Sequence, residues 1–212
     1  MPETIDFATA LFRASGAATL AASARQLAMA GVPVFPCAPS GKHPYTSNGF
    51  YDASTDPAQV EAWWSRTPRA NLGVPTGAKS GMVVVDVDVH GPADGRFPFS
   101  RAVETGLAGG WSLLVETPTG GRHAYYPATP GVVQRSWQAA RAGVDFRGDG
   151  GYIIVPPSVR VIGGVPIRYE ITQIGDHPVA GLDSRRLRDF LDPRPGPVMR
   201  QGRGLVRMAD VS

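Results

Sequence analysis

The spacing of apolar residues changes several times along the chain, and each change marks an element. From about Thr4 to Ala30, Ala, Leu and Met recur at helical spacing among Gln and Arg, with one break at Ser15-Gly16. Two helical segments are expected there, the second closed by Gly31, which tolerates positive φ at a helix end. Val32-Pro33-Val34-Phe35-Pro36 reads as a short edge strand, because proline cannot donate to a central ladder. Asp56-Pro57 pairs an N-cap with proline at the first helical position and starts a helix through Val60, Trp63 and Trp64 to about Arg66. Asn71 to Gly77 predicts a strand and turn. Met82 to Gly91 then carries four apolar residues followed by strict alternation, a buried strand emerging at the edge of a sheet.

Beyond it come a Gly/Pro-rich loop, a short helix around Ser100 to Thr105 and a strand over Trp111–Thr117. A tight Gly-Gly turn into a strand follows at Thr119–Tyr126, then a buried strand at Tyr152–Val155. An edge strand near Arg168–Ile171 and an amphipathic helix over Asp183–Leu191 complete the pattern. From Asp192 the chain is rich in Pro, Gly and Arg without periodicity, as expected of a mobile basic tail or linker. With 26 Gly and 20 Pro in 212 residues, many short turns are expected, and the fold class is α/β (α+β) rather than a helical bundle.

Charge and cysteine content narrow the functional classes. A formal charge of +3 is mild support for a polyanionic partner such as nucleic acid. The single cysteine, Cys37, excludes an intrachain disulfide and a multi-cysteine zinc site and fits a reducing compartment. The amino terminus lacks a basic n-region, and no apolar run approaches the roughly 18 residues needed to span a bilayer. The expected location is cytoplasmic, with no membrane partner.

Within this frame, the chemistry-bearing residues fall in five places. Asp86 and Asp88 point to one face of their strand with Cα atoms about 6.5–7 Å apart, one two-residue repeat. Two such carboxylates repel unless a proton or a cation intervenes, and a hard ion such as Mg²⁺ or Mn²⁺ takes oxygen ligands of this kind. Two solvated strand-end aspartates are the plainer alternative. Lys42, in the turn-rich Ala38–Pro44 loop, could neutralise a phosphate or remain solvated. Gly120 and Gly121 would let backbone N–H groups approach a ligand, with Arg122 and His123 just beyond. The same residues also make an ordinary Gly-Gly hairpin. Asp145, flanked by apolar residues, is costly to bury unless it is paired or binds metal, and a strand-end aspartate facing water is the plainer alternative; Asp149, in an Asp-Gly-Gly turn, reads as structural. Trp63 and Trp64 read as core, with base stacking the sharper alternative.

An Asp-x-Asp strand, a Gly-Gly-Arg-His turn and a third Asp between apolar residues, in that order, resemble the catalytic motifs of the archaeo-eukaryotic primase superfamily. The closer similarity is to its bifunctional primase/polymerase (Prim-Pol) branch, found on plasmids, phages and other mobile elements. It extends from Val32 to Ser158 and includes Gly41-Lys-His-Pro, Asn48-Gly-Phe, Ala53-Ser-Thr-Asp, Trp63-Trp64 and Asn71–Gly77. The resemblance implies an α/β lobe packed on an RRM-like lobe, with the site in the cleft between them. Asp86 and Asp88 become the first acidic motif, His123 the nucleotide-contacting histidine and Asp145 the last metal-ligating acid. The three carboxylates would hold two Mg²⁺ or Mn²⁺ ions, and Arg122 or Arg147 would help hold the phosphates, with Arg122 preferred.

The implied activity is template-dependent nucleotidyl transfer, with single-stranded DNA template, primer and nucleoside triphosphates as partners. The family's zinc-binding insertion cannot be built from one cysteine. No helicase follows, so any helicase is expected as a separate protein, and extension of a primer is expected ahead of de novo priming. The catalytic domain is expected over residues 1–191 and the tail over 192–212. A two-metal nuclease and a non-catalytic replication-initiator or nucleic-acid-binding domain are the competing readings. Asp86→Ala is expected to abolish turnover and leave the fold nearly intact, because it relieves carboxylate repulsion.

Overall fold

The structure, a computed structural model, describes residues 6–90, 93–175 and 181–193. Two helices open the chain, α1 (Phe7–Ser15) and α2 (Leu20–Met29), capped by Asp6 and Thr19, whose side chains accept from Thr9 N and Ala22 N. Gly31 follows with φ +84°, the conformation for which glycine was expected. The first lobe continues with β1 (Phe35–Cys37), a 3₁₀ turn (Gly49–Asp52), α3 (Pro57–Arg66) and β2 (Asn71–Pro75). Asp56 caps α3 and Pro57 occupies its first turn, as the sequence predicts. The expected strand at Val32–Pro36 lies slightly later, as β1, with Val34 reduced to an isolated bridge to Ser54.

The second part runs β3 (Met82–Val87), α4 (Arg96–Glu104), β4 (Leu113–Glu116), β5 (Arg122–Pro127), β6 (Trp137–Ala139) and β7 (Val144–Arg147). Next, β8 (Tyr152–Ile154) returns to the first lobe, β9 (Val159–Ile162) and β10 (Val165–Arg168) form a hairpin, and β11 (Glu170–Ile174) and α5 (Ser184–Leu191) follow. The helix expected near Ser100 starts earlier, at Arg96. Asp94 Oδ1 accepts from the Arg96 N–H, and Pro98 lies in the first turn, where a missing N–H costs nothing. The β6 strand and the β9–β10 hairpin are additions to the predicted elements. Arg168 ends β10 and Glu170 begins β11, so the edge strand predicted across Arg168–Ile171 is two elements.

One sheet has the order β1-β2-β8 and the other β11-β4-β5-β3-β7-β6; every pairing between these strands is antiparallel. The class is therefore α+β. Strand β3 is not an edge strand but lies between β5 and β7, and only its carboxyl end emerges. The β3-α4-β4-β5 connection, with β7 on the far side of β3, is the split β-α-β arrangement of an RRM-like lobe.

Alternation along β3 fixes which lobe sees which side chain. Val83, Val85 and Val87 pack with Tyr126 and Phe146 beneath Phe99 of α4 and Leu187 of α5. Met82 and Val84 face the other way, into a core shared with Tyr125, Leu27 and Trp64. Each fully buried valine contributes about 1.5–3 kcal/mol, so a one-residue slip of register would forfeit both cores. The same parity turns Asp86 toward the first lobe. Most of the predicted tail, residues 194–212, lies outside the described residues. Among those described, no helix is long and apolar enough to cross a membrane.

Candidate active site

Cross-strand register assembles the site. Val115, His123, Asp86, Asp145 and Gln138 stand opposite one another in a single row across β4, β5, β3, β7 and β6. The adjacent row on that face carries Leu113, Tyr125, Val84 and Arg147. Arg147 therefore rises beside the acids, its Nη2 donating to Asp145 Oδ2 at 2.8 Å and to Asp86 Oδ2 at 3.4 Å. The Gln138 side-chain amide also donates to Asp145 Oδ2, at 3.0 Å.

Asp88 lies one step past the end of β3. Its N–H donates to Gly143 O at 2.9 Å, and its carbonyl accepts from Gly95 N at 2.8 Å. These bonds hold the β3 exit against the loop before β7. One carboxylate oxygen from each of Asp86, Asp88 and Asp145 then lies within 4.8 Å of the others. Three oxygen donors this close, two of them buried, fit a hard divalent cation.

The electrostatics of the three acids differ. Burial raises the Asp86 pKa, but His123 Nε2 at 3.3 Å, then Arg147 and Lys42, outweigh it and hold the carboxyl at about 2. Asp88 is pushed up by burial and by the charges of Asp86 and Asp145. Asp145 is also pushed up, chiefly by burial, despite Gln138 and Arg147. Asp88 and Asp145 are therefore the acids most relieved by a cation. Their carboxylates are ionised less completely as pH falls, so the affinity of the cluster for a divalent metal is expected to drop on acidification. Metal titrations from neutral pH down toward the ordinary carboxylate value of 3.8 would show the decline. Millimolar Mg²⁺ or Mn²⁺ is likewise expected to raise Tm of the native chain, through binding to the folded state alone. Calorimetry with and without chelator measures that shift.

His123 is 2% exposed, and its ring lies 5.6 Å from that of Tyr169 and 6.2 Å from that of Tyr125. It supports the Asp86 carboxylate from below, while its buried Nδ1 has no hydrogen-bond partner. Lys42 lines the cleft together with Asp86, His123 and Arg147. Arg122 pairs with Val87, so it belongs to the face opposite His123 and stays exposed. The structure thus brings Arg147, and not Arg122, to the carboxylates. Gly120 and Gly121 serve the β4–β5 hairpin, where Gly120 N donates to Thr117 O and Thr117 N to Gly121 O, each at 2.9 Å. A Cβ on Gly121 would stand 2.5 Å from Val87 O, so glycine lets this turn pack on the end of β3. Asp149 is structural, accepting from Ala78 N and Gln134 N.

The cleft, about 250 Å³, has a second wall that the sequence reading did not assign. Phe50, from the 3₁₀ turn, and Tyr152, from β8, have ring centroids 5.6 Å apart, and the Tyr152 hydroxyl donates to Lys42 O at 3.1 Å. Asn48-Gly49 before Phe50 and Gly150-Gly151 before Tyr152 are the turn signals that bring the rings here. Nothing in the sequence marks Gln138.

Asp86 and Arg147 on one lobe share the cleft with Lys42, Phe50 and Tyr152 of the other, and the sequence of this whole arrangement has a known counterpart. The family described as bifunctional DNA primase/polymerase, N-terminal (Prim-Pol), matches the chain over residues 24–183. The chain belongs to the Prim-Pol family. The match runs from α2 to the cap of α5 and takes in both lobes and every residue of the cleft. Membership in Prim-Pol carries primase/polymerase nucleotidyl transfer as the activity class, with DNA and nucleotides as substrates. The acidic cluster could bind the divalent metal that such domains use. No curated protein matches the chain.

Proposed function

We propose that this chain is a template-dependent nucleotidyltransferase that extends a primer on single-stranded DNA during replication of a mobile element or phage. The observation that carries the reading is the convergence of Asp86, Asp88 and Asp145 within 4.8 Å, with Asp86 lining a cleft that Phe50 and Tyr152 also line. Asp86, Asp88 and Asp145 would hold two Mg²⁺ or Mn²⁺ ions, which when bound supply activation of the primer 3′-hydroxyl and charge stabilisation on the pyrophosphate leaving group. Lys42 and Arg147 pair with the triphosphate, Arg147 exchanging its present carboxylate bonds for phosphate oxygens. His123 orients Asp86, and Phe50 and Tyr152 offer rings to a nucleobase. We take residues 1–191 as the catalytic unit.

Extension of a labelled primer on a single-stranded template with Mg²⁺ or Mn²⁺ tests the reading. Growth of the primer only when nucleoside triphosphate is present supports it; strand cleavage without triphosphate would replace it with a nuclease. Binding to single-stranded DNA is expected to weaken steadily as salt rises, because cations that track phosphates release counterions. Anisotropy titrations between about 50 and 200 mM salt would reveal a salt-insensitive complex if phosphates are not followed.

A further inference from the structure

A second and larger cleft, about 570 Å³, opens on the first lobe between the segment after β1, the 3₁₀ turn and α3. A single segment separates it from the carboxylates. Lys42 and Phe50 of that segment line the acidic cleft, while Tyr45 and Asp52 line the other. The partition is pinned at several points. Tyr45 N donates to Pro36 O, Thr46 Oγ1 to Gly49 O and Lys79 Nζ to Tyr51 O, at 2.9, 2.6 and 2.9 Å. Asn48 reaches Asp52 through both its backbone and side-chain nitrogens, each at 2.9 Å.

The two adjacent tryptophans of α3 have different fates. Trp64 is 1% exposed, and its indole N–H donates to Ala70 O at 2.9 Å, a satisfied core residue. Trp63 is only partly buried against the core and lines the second cleft, as does Tyr45, which is 54% exposed. Arg66, one turn further along α3, adds a cation, and Asp52 and Gln59 add hydrogen-bonding groups. Rings for stacking, a cation for a phosphate and polar groups for a base edge together match a nucleotide. The volume lies in the range of small-ligand sites.

Aromatic residues also connect the two clefts. Tyr152 and Phe50 have centroids 5.6 Å apart in the acidic cleft, and Phe50 lies 4.3 Å from Tyr51, which stands 70% exposed on the turn. We propose that the second cleft binds a nucleotide unit of the same single strand that passes the acidic cleft. The strand crosses the 3₁₀ turn over Tyr51, sets a base against Trp63 and Tyr45, and pairs a phosphate with Arg66. This inference takes the nature of the strand from the polymerase reading, but the cleft is tested without catalysis.

The test is titration of intrinsic tryptophan fluorescence with an oligothymidylate in metal-free buffer lacking triphosphates. Quenching is expected for the native chain and is expected to disappear in Trp63→Phe, whose remaining tryptophans are Trp64, Trp111 and Trp137. Trp63→Ala is expected to weaken oligonucleotide binding about 5- to 150-fold. Arg66→Ala, an exposed change that leaves the core alone, is expected to weaken binding and lower its salt slope by about one. Quenching that persists in Trp63→Phe, or unchanged affinity in Arg66→Ala, would overturn the assignment. Quenching by free thymidine nucleotide but not by the oligomer would overturn the strand. Primer extension without Trp63-dependent quenching would remove the second cleft and keep the polymerase. Trp63-dependent quenching in a chain that extends no primer would do the reverse.

Discussion

Asp88→Asn is expected to reduce nucleotide addition by more than about 100-fold while leaving the metal-free protein as stable as the native chain or more so. The lower bound follows from residues that only support a metal ligand, whose loss already costs about 10- to 100-fold. The stability effect follows from the raised pKa of Asp88. A carboxyl raised in the fold contributes stability below its unfolded value of 3.8 and loses it as pH rises through the folded value. At neutral pH the ionised Asp88 therefore opposes folding, and the neutral amide removes the opposition. Asp86 has the opposite sign. Its carboxyl is held at about 2, so its contribution is present above 3.8 and is lost only as pH falls toward 2. Asp86→Ala strips His123 and Arg147 of their shared partner, and removing one member of a buried pair costs about 3–5 kcal/mol. The expectation that Asp86→Ala would spare the fold is thus corrected: repulsion is relieved at Asp88, not at Asp86. Thermal melts of both variants in chelator, at neutral and mildly acidic pH, should separate them. Equal melting temperatures would contradict the assignment of charge within the triad.

Gly95→Ala is expected to lower stability by about 1–3 kcal/mol, as overpacking does, or roughly 2–12 °C in Tm, and to impair catalysis with it. Gly95 has φ −70° and ψ −11°, which alanine adopts freely, although at this N-cap of α4 glycine is preferred over alanine. Backbone conformation alone thus permits the substitution. Contact forbids it: a Cβ there would collide with the Gly143 carbonyl and crowd Asp88 O at 3.0 Å. Since Gly143 O also accepts the Asp88 N–H, any retreat of the loop moves a carboxylate of the triad. A displacement near 1 Å costs about 100-fold in rate when geometry limits chemistry. A Gly95→Ala protein with native Tm and native rate would show that this contact does not hold the β3 exit.

Much of this architecture could be read from periodicity because burial enforces it. Alternation in β3 separated Val83, Val85 and Val87 from Val84 and Asp86, and the two cores follow that division. The Asp56-Pro57 signal placed α3 because capping is a local event. The same two-residue parity groups Arg147 with Asp145 and opposes Arg122 to His123, so the choice between the arginines was also legible once both stretches were taken as strands. The β9–β10 hairpin carried a signal in Gly163-Gly164 between alternating residues, but its strands are largely exposed and lack the apolar contrast that burial imposes. Asp88 joins Asp145 through the Gly95–Gly143 approach, a contact between distant backbones that no local pattern encodes. The placement of Phe50 and Tyr152 across the cleft likewise depends on β8 returning to the first lobe beside β2.

The most direct test of the central claim is single-nucleotide extension of a labelled primer on single-stranded DNA, comparing the native chain with Asp88→Asn in Mg²⁺ and in Mn²⁺. The expected result is extension by the native chain in at least one metal, none in chelator, and a loss of more than about 100-fold in Asp88→Asn with its melting temperature preserved. Equal extension by the two proteins would contradict catalysis at this carboxylate cluster. No extension by a native chain that still binds the template would contradict the polymerase itself.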